Sequence, residues 1–312
     1  MTHLFIINPA AGSSDQTDAY RKKITQICDA RHLDYEIRVS SAPGECRKIA
    51  AEAAATGKEY RIYACGGDGT LNEVVSGVAG YDNVAVTMFA GGSGNDFIRI
   101  FNETDPFRDL NRLLDAEETQ FRLIRCNDDY SVNICSVGFD ARIGTDVARY
   151  KRLPFLSGFR AYAVSAIINT IRGIAEHYVV EIDGKKFDGD RTLVCVCNGR
   201  YYGGGFNPVP EADPSDDLLE VLLIDKVSRF KVISVIGKYK NGKYSDYPKY
   251  IHHFSAKHIK ITCDKPTPIN LDGELRISDV ADISLAEKSF RFFYPRGLTW
   301  KAAPAEKTLH TV

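Results

Sequence analysis

None of the eight cysteines stands in a Cys-x-x-Cys pair, the half-site around which structural zinc centres are usually built. They are scattered, most beside Ile, Val or Ala, which suits reduced cysteines packed as small hydrophobes. An excess of one charge is also missing. Lys and Arg total 40 and Asp and Glu 41, for a net charge of −1, which argues against a nucleic-acid protein held by bulk positive charge. A local basic face against anionic lipid remains compatible with that balance. No apolar run approaches the ~20 residues of a membrane span, and the best, Ala161 to Ile171, is far shorter. The N-terminus lacks the basic region and the apolar length of a signal peptide. The expected location is the cytosol. Repeats, low-complexity segments, a Gly-x-x-x-x-Gly-Lys-Ser/Thr phosphate loop and the His-Arg-Asp and Asp-Phe-Gly pairs of protein kinases are absent too. His252 and His253 are adjacent, so on a strand they would point apart rather than share a metal.

What is present is core-forming material: 312 residues, 44% hydrophobic and 26% charged. At ~150 residues per domain that is about two domains. Leu4–Ile7, Tyr35–Val39, Tyr60–Cys65 and Val84–Phe89 read as strands, and Asp18–Ala30, Pro43–Thr56 and Leu71–Val78 as helices between or after them. A further helical stretch is expected after Asp96. This alternation predicts an open, mainly parallel α/β sheet. Near residue 120 the character changes. Phe121–Cys126, Tyr130–Val137, Tyr178–Ile182, Thr192–Cys197, Leu218–Ile224, His258–Cys263, Thr267–Leu271 and Asp282–Leu285 are β-like runs. Helical stretches interrupt them at Ala141–Tyr150, Gly158–Gly173 and Arg229–Tyr239. The fold class expected is therefore α/β plus β: residues 1–125 as an α/β domain, 126–288 as a β-sandwich-like domain, and 289–312 as a candidate to return to the first.

Three glycine loops follow strands, where ligands bind in open α/β sheets. Gly66-Gly67-Asp68-Gly69-Thr70 is the sharpest: its glycines let backbone N–H groups approach a phosphate, and the next helix adds its positive end. Asp68 would repel a bare phosphate, so it fits a ligand bridged by a metal or a donor. Asn8-Pro9-Ala10-Ala11-Gly12 and Gly91-Gly92-Ser93-Gly94-Asn95-Asp96 are loops of the same kind. Far downstream, Asp272-Gly273-Glu274 would direct two carboxylates to one site on an extended backbone, one as proton acceptor and one as metal ligand. Read alone, Asp-Gly is also a common hairpin turn. Asp213-Pro214-Ser215-Asp216-Asp217-Leu218 groups carboxylates suited to a hard cation. Tyr201-Tyr202-Gly203-Gly204-Gly205-Phe206 reads as a mobile substrate loop.

Together these motifs, with Gly138-Phe139-Asp140-Ala141, resemble the diacylglycerol kinase catalytic-domain family over nearly the whole chain, most closely its soluble bacterial lipid kinases. The resemblance implies two domains with ATP in the cleft between them. It implies nucleotide contacts at Asn8, Pro9, Ala10, Ala11, Gly12, Ser40, Gly67, Asp68, Gly69, Thr70, Leu71, Asn72, Glu73 and Ser93. Glu274 would be the proton acceptor with Asp272 beside it, Asp68 would serve a catalytic Mg²⁺, and Asp213, Asp216 and the Leu218 carbonyl would hold a structural Mg²⁺. The family usually carries Asp-Asp-Gly before that strand, and here Asp217 takes the place of the glycine. The implied reaction is ATP-dependent phosphorylation of a lipid hydroxyl, with diacylglycerol the leading acceptor. A sphingoid base, ceramide or phosphatidylglycerol are the alternative acceptors. A catalytically silent nucleotide-binding regulator and NAD kinase are the rival classes, the latter lacking Gly94-Asn95-Asp96-Phe97. The implied partner is lipid at the inner membrane face, met peripherally from the cytoplasm, with no nucleic acid and with a homodimer admitted. Residues 149–172, where basic and apolar side chains interleave, are the candidate docking segment.

Overall fold

The computed structural model describes residues 1–12, 14–92, 94–143, 173–287 and 289–300. The helices expected at Ala141–Tyr150 and Gly158–Gly173, the docking candidate at 149–172, and Ser93 thus lie wholly or largely outside the described residues. Two sheets organise the rest.

The first sheet runs β2(Tyr35–Val39), β1(Thr2–Ile7), β3(Tyr60–Gly66), β4(Val84–Ala90), β15(Phe290–Pro295), β5(Ala116–Phe121). The first four strands are mutually parallel, β15 is parallel to β4, and β5 closes the edge antiparallel to β15. All seven residues of β4 are buried, as expected of a strand covered on both faces, whereas β2 alternates between half-buried and exposed as an edge strand does. Helices α1(Thr17–Ala30), α2(Glu45–Ala55) and α3(Asp68–Val78) connect the strands. Gly77 brings α2 and α3 together, since a Cβ there would lie 2.3 Å from the Arg47 carbonyl oxygen. The helix expected after Asp96 is instead two 3₁₀ turns, Phe97–Ile100 and Asp105–Arg108, and a short α4(Leu110–Leu114). Pro106, which cannot donate a helical hydrogen bond, sits in the second turn and helps break the run.

The second sheet has nine strands. Its main path is β12(Ile251–Ala256), β11(Leu219–Asp225), β10(Lys185–Cys197), β8(Ile134–Gly138), β13(His258–Leu271), β14(Glu274–Leu285), β6(Ile124–Cys126), β7(Asp129–Ser131). β9(Glu176–Ile182) pairs with both β10 and β13, folding the sheet over its own core. Several expectations change here, among them the run Tyr130–Val137, which is two strands, β7 and β8. The runs at His258 and Thr267 are one strand with a register shift between Thr262 and Thr267, where Pro266 interrupts the ladder. The run at Phe121 splits between the two sheets. Strand β12 had no alternation strong enough to announce it. Helix α5(Arg229–Lys240) packs Val232, Val235 and Tyr239 into a second core of this domain, beside Cys195 and Cys197. All eight cysteines are free and buried.

Candidate active site

The three glycine loops meet. Gly12 and Gly91 are so close that a Cβ on Gly12 would stand 2.9 Å from the Gly91 oxygen, and a Cβ on Gly92 would stand 2.5 Å from the Gly67 Cα. Asn8 locks the first loop to the second: its Oδ1 accepts from Ala10 N–H at 3.0 Å, and its Nδ2 donates to Thr70 Oγ1 at 3.0 Å. Pro9, Ala10, Ala11, Gly67 and Gly69 therefore lie around the N-terminus of α3, whose first turn is Asp68, Gly69, Thr70 and Leu71. Thr70, Leu71 and Asn72 are buried. Ser40 is buried beside β1, its N–H donating to the Ile7 carbonyl at 2.9 Å. Both oxygens of Glu73 accept from backbone N–H groups, of Gly44 at 3.0 Å and Cys46 at 3.1 Å, so this side chain caps α2.

Asp68 points across to the third loop. Its Oδ1 accepts from Phe97 N–H at 3.2 Å, and a Cβ on Gly94 would stand 2.8 Å from its Oδ2. Burial first, then the charge of Asp96, raise its carboxyl to about 6. Asp96 is itself raised by burial, while its Oδ2 accepts from Gly204 N–H of the second domain at 2.6 Å. Sequence reasoning gave Asp96 no role of its own, although its place at the end of a glycine loop was the available signal.

The expected extended geometry of Asp272-Gly273-Glu274 does not occur. Leu271 pairs directly with Glu274, and Asp272 and Gly273 form the two-residue turn between β13 and β14 with φ of +51° and +94°. Positive φ at both positions turns the chain over, so the two carboxylates part. Asp272 is half-buried and accepts from the N–H groups of Val132 at 2.6 Å, Asn133 at 3.0 Å and Ile134 at 2.9 Å. Burial raises its carboxyl, and these donors oppose the rise. Glu274 is partly exposed, and its Oε2 meets Arg276 Nη2 at 3.1 Å. Arg276 also grips both oxygens of Asp129, at 2.8 and 3.1 Å.

The acidic stretch at 213–218 forms a tight turn. Asp213 Oδ1 accepts from Ser215 N–H at 2.9 Å and its hydroxyl at 2.6 Å, and Asp216 Oδ1 accepts from Leu218 N–H at 2.9 Å. Asp217 has no positive φ, so the turn accommodates a side chain where glycine was expected, and that side chain pairs with Arg122 at 3.3 Å. Burial and the neighbouring acids raise Asp216. The oxygens outside these bonds, Asp213 Oδ2 and Asp216 Oδ2, are compatible with a cation. However, among the described residues no group of three or more His, Cys, Asp or Glu side chains is placed to hold a metal ion.

A cavity of about 710 Å³ joins the two domains. Asp68, Gly94, Asp96, Asp272 and Gly273 line one part of it, and Leu193, Ile224, Val232, Val235 and Ile236 line another. The lining also includes polar side chains whose partnerships the sequence did not disclose. Ser136 Oγ donates to Asp140 Oδ2 at 2.7 Å, Asn270 Nδ2 donates to Ser136 Oγ at 3.3 Å, and the Tyr202 and Tyr239 hydroxyls meet at 2.9 Å. Burial raises the Asp140 carboxyl to about 6.

Residues 2–126 match the model of the diacylglycerol kinase catalytic domain, and 133–285 that of the YegS C-terminal NAD kinase beta sandwich-like domain. The first domain is thus matched as a diacylglycerol kinase catalytic domain, which bears out the resemblance. This kinase-type α/β domain is followed, as in that family, by a sandwich-like β domain. A protein from Staphylococcus carnosus named "Putative lipid kinase" is 25% identical over 284 residues, covering 88% of this chain and 89% of its own. A relative of the same description from Staphylococcus aureus is 25% identical over 270 residues, 84% of this chain and 86% of its own. The crystal structure of a diacylglycerol kinase from Bacillus anthracis superposes with a TM-score of 0.69 over 96% of this chain and 98% of its own, at 20% identity, and so shows the shared fold.

Proposed function

We propose that this chain is an ATP-dependent lipid kinase that transfers the γ-phosphoryl of ATP to a lipid hydroxyl, with diacylglycerol as acceptor and phosphatidic acid as product. The observation that carries this reading is the composition of the cavity, whose lining combines aspartates beside glycine loops with an aliphatic wall. Phosphoryl transfer asks for positioning and charge neutralisation rather than covalent chemistry from the protein. The glycines bring the loop backbones closer than Cβ atoms at Gly12 and Gly92 would allow, at the N-terminus of α3, which fits phosphates held by backbone N–H groups. Burial and the nearby Asp96 carboxylate raise Asp68, while Asp96, raised by burial, keeps Arg99 at 3.1 Å. Mg²⁺ held by Asp68, directly or through water, would neutralise charge on the phosphate oxygens. The aliphatic wall accepts acyl chain.

Asp272, spent on three backbone N–H groups, fixes the turn that presents Glu274. Glu274 takes the proton of the lipid hydroxyl, at the cavity rim where its neighbours Gly273 and Leu275 form the wall. Lipid is met at the membrane surface. Among the described residues, no helix is long and apolar enough to cross one. The test is a radiolabelled-ATP screen across diacylglycerol, sphingosine, ceramide and phosphatidylglycerol in mixed micelles. Labelled phosphatidic acid is expected. Label on another lipid reassigns the acceptor, and ATP binding without any labelled lipid leaves the silent regulator.

A further inference from the structure

Helix α5 has two characters. Val232, Val235, Ile236 and Tyr239 face the cavity. Its flanks and the turn after it are basic: residues 231–250 hold five lysines, Lys231, Lys238, Lys240, Lys243 and Lys249, and one acid, Asp246. Lys238 pairs with that acid at 2.6 Å, while Lys240, Lys243 and Lys249 are exposed. In a chain whose total charge is −1, this is a local concentration of positive charge.

Aromatic rings are interleaved with it. Lys231 Nζ lies 4.5 Å from the centre of the Tyr250 ring and 5.8 Å from that of Tyr247, and Lys249 Nζ lies 5.7 Å from Tyr250. Lys240 Nζ lies 5.2 Å from the ring of Phe206, which itself lines the cavity. Lysine stems and tyrosine rings with polar tips are the side chains that settle at a headgroup interface, with an apolar body and a charged or polar end in water.

We infer that the surface made by α5 and the turn through Tyr250 docks on an anionic bilayer. Charge complementarity selects the occupant, because clustered lysines are drawn to anionic headgroups. Continuity supports it: the helix that walls the cavity on one side carries this basic surface on its flanks. The biological use of the surface rests on the lipid-kinase reading, but its binding to vesicles does not.

The experiment is co-sedimentation of the full chain with vesicles of phosphatidylcholine alone and of phosphatidylcholine mixed with phosphatidylglycerol, at low and high salt. The parent protein should bind the mixed vesicles better and lose binding as salt rises. K243E/K249E should weaken binding to mixed vesicles by roughly tenfold or more. K22E/K58E, the same charge change on exposed residues of the first domain, should weaken it much less. ATP affinity and phosphorylation of a short-chain, water-soluble diacylglycerol should be unchanged in K243E/K249E. Equal binding of both vesicle types by the parent overturns the inference. So does parent-like binding by K243E/K249E, or an equal loss in K22E/K58E. Failure of the parent to phosphorylate the soluble acceptor refutes the kinase reading instead and leaves the vesicle result standing.

Discussion

Asp68 is a carboxylate in a place unfavourable to charge. Its pKa is raised from 3.8 to about 6, so between those values the folded protein holds a proton that the unfolded chain has released. Its contribution to stability therefore falls as pH rises from about 4 to about 6 and stays low above that. Asp68→Asn should abolish phosphoryl transfer yet stabilise the ligand-free protein by on the order of 1–2 kcal/mol at about pH 8, with the gain vanishing below about pH 4. Melting curves across pH check this, and a gain that persists in acid would mean packing rather than charge. Glu274 is the complementary case, partly exposed and in contact with Arg276. Glu274→Gln keeps the shape but cannot take a proton, so kcat should fall about 10²–10⁴-fold with ATP affinity retained. Steady-state kinetics beside a nucleotide-binding titration measure the two quantities separately. A kcat that stays unchanged while chemistry limits the rate moves the base elsewhere.

At the scale of elements, the site is a junction of loop ends that tolerate no side chains between them. Gly92→Ala would drive a methyl group to 2.5 Å from the Gly67 Cα, and backbone must move to relieve it. The expected cost is about 1–3 kcal/mol of stability, together with weaker ATP binding because the displaced loops are the cradle. Calorimetric unfolding and ATP titration on the same sample test it, and a variant that melts and binds like the parent would show that the loops are not in firm contact. The turn at Asp272-Gly273 makes the same point about local geometry. Spacing of two along the chain suggested one shared face, but positive φ at both positions sends Asp272 inward to three N–H groups and leaves Glu274 with Arg276.

The whole molecule is held around the cavity by contacts that cross between the two sheets. Gly204 N–H reaches Asp96, Arg122 N–H reaches the Pro214 carbonyl at 2.7 Å, and Arg200 reaches the Trp300 carbonyl at 2.6 Å. The first of these ties Asp96 to the second domain, and aspartates and aliphatic wall share one cavity, as the proposed lipid kinase would need. Ile236→Trp, a larger side chain on a cavity-lining position of α5, should raise KM for long-chain diacylglycerol at least roughly tenfold while sparing a short-chain acceptor and ATP. Acceptor-length series in mixed micelles supply the comparison. Equal losses for both chain lengths would show that the wall does not meet the acyl chain.

The strand-then-glycine-loop rhythm of the first domain was legible because it depends on local chemistry: β-branched and apolar runs that bury, and glycines where backbone must come close. The family motifs were legible for the same reason, and so was α5, whose apolar spacing over 232, 235, 236 and 239 is helical. Partnership between distant residues was not. Nothing in the chain near Glu73 announces that it caps α2, because its N–H partners lie 27 and 29 residues away. Asp140 and Tyr202 stood in motifs, but that Asp140 would meet Ser136 and through it Asn270 depends on the pairing of β8 with β13. The sequence by itself determined which backbones can approach phosphate and which segments bury. Only the tertiary structure decided where each carboxylate points and what it meets, because those distances are set by sheet register and by packing between domains.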